Sequence, residues 1–311
     1  MDTGALPAVP RSNASWVPVR NVLLYPHLWL AMGASAQRWW VGEVGPSTNW
    51  QGILGAAVAV IAGYGYLRLV RASEQDPVPS YHIRWVRENR VPMMMVVGVA
   101  ALAVGLLLRD QHLVFGRWSL LIPVLCAGYL LPFRSTAERS ASGVLLGLRE
   151  VPGVKVIIVA LAWTFITCGI TNVEPWDYNV GMNASVAALQ FGYFLAMAIA
   201  FDIGDLRYDR PGLRTVPQLL GIRGAQVLAL LFLLPWCGFL VVMLLICYHP
   251  IGPGWREPCW DMEFLLPLVG MMIIGFVIAR TNPQRPQWYF AVLLDGLLLL
   301  VPLLALVGGR L

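Results

Sequence analysis

Apolar windows of about twenty residues recur along the whole chain, and the charge collects in the short segments between them. The pattern predicts membrane-spanning helices over 20–42, 50–70, 91–109, 117–133, 153–171, 184–204, 225–247, 262–280 and 287–308. Pro26 and His27 interrupt the first of these, and the fourth is short. The predicted fold class is therefore all-α, a polytopic membrane protein with a bundle of about nine transmembrane helices. Residues 1–18 contain Pro7, Pro10 and Pro18 and no apolar run, so they read as a polar lead-in, not a cleaved signal peptide. One transmembrane helical domain is expected over 19–311. No linker or low-complexity stretch suggests another.

Composition agrees with the pattern. Hydrophobic residues make up 58% of the chain and charged residues only 13%, with a mean hydropathy of +0.67; a soluble domain carries about 25% charge. The basic residues also orient the bundle. Alternating the spans leaves Arg38, Arg109, Arg117, Arg256 and Arg310 on one side and the other seventeen of the 22 Lys and Arg on the opposite side. By the positive-inside rule the N-terminus is cytoplasmic, and the expected location is a bacterial inner membrane. The net charge of +5 then describes a cytoplasmic membrane face, not a nucleic-acid site. The five cysteines, at 126, 168, 237, 247 and 259, lack ligand-like spacing and read as fillers of the membrane core.

Candidate chemistry concentrates at 201–221, FDIGDLRYDRPGLRTVPQLLG. Asp202, Asp205 and Asp209 are spaced i, i+3, i+7 and fall within an arc of about 60° on a helix. The preceding segment, 185–201, is apolar apart from Gln190. Carboxylates at the edge of a membrane span are costly, which makes them a functional site by default. Arg207, Arg210, Arg214 and Arg223 come directly after. Acidic oxygens that hold Mg²⁺ beside guanidinium groups that clamp phosphate suit a metal-bridged diphosphate. Lys155 is the chain's one lysine, since 21 of the 22 basic residues are arginine. It reads either as a compact ammonium ligand for phosphate or as an interfacial residue snorkelling at the start of a span. Arg149 carries the same two readings.

Asp202-x-x-Asp205-x-x-x-Asp209, followed by Gly212-Leu213-Arg214-Thr215-Val216-Pro217 and Leu219-Leu220-Gly221, resembles the second aspartate motif of the UbiA-type intramembrane prenyltransferase superfamily. The position after the sixth predicted span and the count of nine helices extend the resemblance over nearly the whole chain. The chain departs from the family at the first motif, after the second span. There the sequence reads GYGYLRLVRASEQDP over 63–77, and its only acids are Glu74 and Asp76. Arg68, Arg71, Arg84 and Arg87 are placed to bind diphosphate directly in their stead.

The resemblance implies an isoprenyl diphosphate and Mg²⁺ as substrate and cofactor, and alkylation of a hydrophobic or aromatic acceptor within the lipid bilayer. It implies metal ligation by Asp202, Asp205 and Asp209, and diphosphate binding by Arg68, Arg149, Lys155 and Arg214. Tyr64 and Asp295 are the candidate substrate-binding residues. Asp295, in the apolar stretch LLDGLLLLVP, is expected to face the bundle, either to orient an acceptor or cation or to cap a break at Gly296. Tyr129, Trp163, Phe191, Tyr193 and Phe201 are placed either to line a dry pocket for an allylic cation or to pack the bundle. Two other readings stand beside the transferase: a prenyl diphosphate lyase that cyclises its substrate, and a noncatalytic lipid-binding or transporting relative.

Overall fold

The structure is a computed structural model that describes residues 27–44, 49–73, 81–107, 109, 112–113, 124, 128, 153–171, 180–207, 215–248, 261–286 and 288–310. The helices are α1 (Leu28–Val44), α2 (Trp50–Ser73), α3 (Tyr81–Glu88), α4 (Arg90–Leu107), α5 (Val154–Cys168), α6 (Val180–Asp205), α7 (Val216–Tyr248), α8 (Asp261–Ala279) and α9 (Asp295–Gly308). A π-helical turn, Tyr289–Leu294, leads directly into α9. Among the described residues six helices are long and apolar enough to cross a membrane, and Val154–Cys168 is a shorter apolar helix. The chain is thus an integral multi-pass membrane protein of helical architecture, as its pattern predicts. The expected span over 117–133 falls almost wholly outside the described residues.

Neighbour packing closes into a ring in the order α1, α9, α8, α7, α6, α5 and back to α1, with α2 against α1 and α4 against α2. A two-residue antiparallel pairing of His112–Leu113 (β1) with Ile170–Thr171 (β2) ties the end of α4 to the end of α5. Large apolar side chains turned outward, such as Val99, Leu231 and Phe276, give the bundle its lipid-facing coat. Among the described spans α6 is the most enclosed: Tyr193, Phe194, Ala196, Ile199, Ala200 and Ile203 are all buried. Small residues let its neighbours approach. A Cβ on Gly192 would lie 2.9 Å from the backbone oxygen of Phe232, so α6 and α7 cross there at backbone contact.

Midway through the bundle the ring interior is filled. Trp40 of α1 stacks on Trp236 of α7 with centroids 4.6 Å apart, and both are buried. Gln37 donates from Nε2 to the Leu298 carbonyl at 2.7 Å, and Gln190 Nε2 donates to Gln37 Oε1 at 3.2 Å. Both amides are fully buried, so the pair ties α1, α6 and α9 together where an unpaired amide would be costly. Gln190→Leu leaves Gln37 Oε1 without that donor. We expect a lower melting temperature in detergent, equivalent to about 0.5–1.5 kcal/mol; an unchanged melting curve would show that the pair contributes nothing net.

Local backbone geometry departs from the expected pattern at two points. Helix α7 begins nine residues before the predicted span, at Val216, and kinks at Gly221, whose φ of 71° and ψ of 168° are non-helical and open to glycine. No break occurs at Gly296, because α9 runs through it from Asp295. The irregularity is instead the π-turn just before, so the reading of Asp295 as the cap of a helix break is corrected.

Candidate functional site

Helix α6 carries Asp202 and Asp205 in its last turn, and α5 starts beside it. Gly153, at φ 72°, supplies the left-handed residue from which α5 departs and so sets Lys155 in the first turn. Lys155 Nζ donates to Asp205 Oδ2 at 2.6 Å and lies 2.7 Å from Asp202 Oδ1. The ammonium thus bridges the two carboxylates, and Asp202 Oδ1 is buried against it. Asp202 is 1% exposed and Asp205 46% exposed. One carboxylate is therefore locked inside the bundle and the other faces the aqueous mouth.

Helix dipoles work on this pair from both sides. Lysine at the N-terminus of α5 and carboxylates at the C-terminus of α6 each oppose the dipole of their own helix. Each, however, sits against the favourable end of the other's helix, and they neutralise one another. The arrangement concentrates charge of both signs at one point, where a second cation would have to displace the Lys155 ammonium from the two carboxylates. Among the described residues no three acid, histidine or cysteine side chains gather into a metal cage. Two carboxylates one turn apart still suit a cation that completes its shell with water and substrate oxygens.

An aromatic group joins α2, α5 and α6 with His27, the residue before α1. Trp163 Nε1 donates to the Tyr64 hydroxyl at 2.9 Å, and their rings meet edge-on at 6.2 Å. Trp163 also lies against Phe194 at 5.3 Å, and His27 against Tyr64 at 5.5 Å. Arg68, one turn beyond Tyr64 on α2, lies close enough for its charge to act on both Tyr64 and Asp295. Lys155 acts on Tyr64 in the same way. Trp29 of α1 donates from Nε1 to Val292 O of the π-turn at 3.3 Å, and Gly296 makes room for it: a Cβ there would lie 3.2 Å from the indole.

Six of the residues predicted from sequence, Tyr64, Arg68, Lys155, Asp202, Asp205 and Asp295, thus converge on one end of the bundle, although they come from α2, α5, α6 and α9. Asp209, Arg149, Arg214, Tyr129, Glu74 and Asp76 lie outside the described residues. Of the aromatic candidates, Trp163 belongs to this cluster. Tyr193 instead donates to the Leu297 carbonyl at 3.3 Å and is fully buried as packing. Phe194 is absent from the candidates read from sequence, yet its signal is present there: it stands three turns before Asp205 on the same helical stripe. Arg207 has a more particular place than membership of an arginine run. It donates to the Arg285 carbonyl at 2.9 Å and lies over the Phe290 ring at 5.6 Å, tying the end of α6 to the segment before α9.

No protein-family model matches the sequence, and no curated protein matches it. Solved structures do match the fold. A UbiA homologue from Aeropyrum pernix K1, in its apo form, superposes with a TM-score of 0.53 over 91% of this chain and 97% of that chain, at 13% identity. A UbiA homologue from Archaeoglobus fulgidus bound to GPP and Mg²⁺ gives 0.53 over 93% and 98%, at 13% identity. The same homologue bound to DMAPP and Mg²⁺ gives 0.53 over 93% and 98%, at 14% identity. The chain has the fold of these UbiA homologues along nearly its whole length.

Proposed function

We propose that this chain is an intramembrane prenyltransferase of the UbiA type, which uses an isoprenyl diphosphate and Mg²⁺ to alkylate a hydrophobic or aromatic acceptor. The observation that carries the reading is the Lys155–Asp202–Asp205 cluster beside the Tyr64–Trp163–Phe194 aromatic group. It sits in a fold whose Archaeoglobus fulgidus representative binds GPP or DMAPP with Mg²⁺. Asp202 and Asp205 would hold Mg²⁺, which when bound would supply charge neutralisation to the diphosphate leaving group. Lys155 would give up its contacts with the two carboxylates as the metal binds, and Asp209 extends the same helical stripe in sequence.

The residues divide the remaining work by charge and by polarity. Lys155 offers its ammonium to a diphosphate oxygen when the carboxylates are otherwise engaged. Arg68 adds a second cation at the end of α2, where the family's first acidic motif is absent, so fewer metal ions are needed on that wall. Aromatic faces of Trp163 and Phe194 stabilise an allylic cation without offering it a nucleophile. The Tyr64 hydroxyl is held by Trp163, which fixes its orientation. The arginine asymmetry supports a cytoplasmic position for this face and for the N-terminus.

The test is incubation of the purified protein with prenyl diphosphates of several lengths, with and without Mg²⁺ and aromatic acceptors. We expect Mg²⁺-dependent pyrophosphate release together with an alkylated acceptor. Pyrophosphate with a cyclised hydrocarbon and no alkylated acceptor would make the protein a lyase. Substrate binding without any pyrophosphate release would make it a noncatalytic relative.

A further inference from the structure

A cleft of about 940 Å³ lies between the start of α7, the end of α8 and the segment that leads to the π-turn. Its described lining includes Arg223, Arg280 and Arg285 together with Gln226 and Asn282, and no acidic residue. All three arginines are exposed. The cleft is held open by defined contacts. Gln226 Nε2 donates to Ala279 O at 3.1 Å and to Thr281 O at 2.8 Å, which spaces α7 from the end of α8. The Arg280 guanidinium lies over the Phe276 ring at 5.0 Å, and that of Arg285 over the Tyr289 ring at 5.5 Å while its Nε donates to Arg280 O at 3.4 Å.

Two further features point to an anion. The kink at Gly221 restarts the helix at the wall of the cleft, so the positive end of a long helix dipole faces it. Apolar side chains turn outward beside it: Leu220 of the lining, its neighbour Leu219, Phe276 under Arg280, and Trp288 just after the lining residue Pro286 are all more than half exposed. A phosphate seated among the arginines would therefore have lipid-facing surface beside it for acyl chains. Basic pockets between helices at a membrane face are built in this way. The Arg207–Arg285 hydrogen bond places the cleft on the same membrane face as Asp205.

We propose that this cleft binds a phosphate group, that of an anionic membrane lipid, at Arg223, Arg280 and Arg285. The site is separate from the aspartate cluster and stands or falls independently of the enzyme reading. The test uses the full-length protein in neutral detergent, with thermal stability and binding measured against added phosphatidylglycerol, phosphatidylcholine or inorganic phosphate. We expect phosphatidylglycerol, and not phosphatidylcholine, to raise the melting temperature. In the triple variant Arg223→Gln/Arg280→Gln/Arg285→Gln, affinity should fall about tenfold or more. If that variant fails to fold, Arg223→Gln alone should weaken binding about fivefold. Inorganic phosphate that stabilises the wild type as strongly as the lipid, and loses its effect in the variant, would assign the same site to a soluble phosphate compound. Equal responses of wild type and variant, or equal responses to the two lipids, would overturn the proposal.

Discussion

Asp202→Asn should lower Mg²⁺-dependent pyrophosphate release by about 100-fold or more, the scale seen when one preorganised electrostatic group is removed from a closed site. The change conserves volume, removes the charge and exchanges one acceptor oxygen for an NH2 donor. Asp202 is 1% exposed, so its field acts through protein and is weakly screened, whereas Asp205 is 46% exposed and shares its field with water. Asp205→Asn should therefore have the smaller effect. The fold should survive either change, because Lys155 keeps one carboxylate partner in each variant and its own side chain is partly exposed, at 24%. The measurements are pyrophosphate release and the melting temperature of each variant. Full activity in Asp202→Asn would reduce the cluster to a structural ion pair.

The architecture was legible because membrane spans announce themselves by composition over twenty residues, a signal that survives errors of several residues at each end. Where it faltered, the cause was local backbone geometry. Nothing in YFAVLL marks it as π-helical, since the sequence preference for one extra residue per turn is weak and packing decides. The kink at Gly221 had a visible agent, yet a glycine between Leu220 and Ile222 is equally compatible with a helix start. The site was legible in part for a different reason. Buried charge in an apolar chain is rare, so Asp202, Lys155 and Asp295 stood out individually. Their mutual arrangement did not, because contacts between α2, α5, α6 and α9 depend on which helices are neighbours in the ring. The Tyr64–Trp163 hydrogen bond joins residues 99 apart, and no period in the sequence encodes it.

Lys155→Met and Lys155→Arg should move metal affinity in opposite directions, and this separates a working ammonium from an interfacial one. In the resting protein Lys155 lies within 2.7 Å of an oxygen on each aspartate. A divalent cation that approaches those oxygens must compete with it. Methionine keeps an unbranched side chain and removes the competitor, so Mn²⁺, used as a spectroscopic surrogate for Mg²⁺, should bind about tenfold tighter, equivalent to about 1.4 kcal/mol. The same variant loses the proposed phosphate ligand, so the KM for a prenyl diphosphate should rise even as metal binding improves. Arginine should act the other way on the metal. Its planar fork can engage two carboxylates at once, which holds them more firmly and weakens metal binding, while its charge keeps some diphosphate affinity. The expected order of metal affinity is therefore Met, Lys, Arg from tightest to weakest, with Lys155 best and Met worst for diphosphate. A lysine that only snorkels at the membrane edge predicts no such crossing: both affinities would stay level across the series, and the loss in Lys155→Met would appear in thermal stability alone.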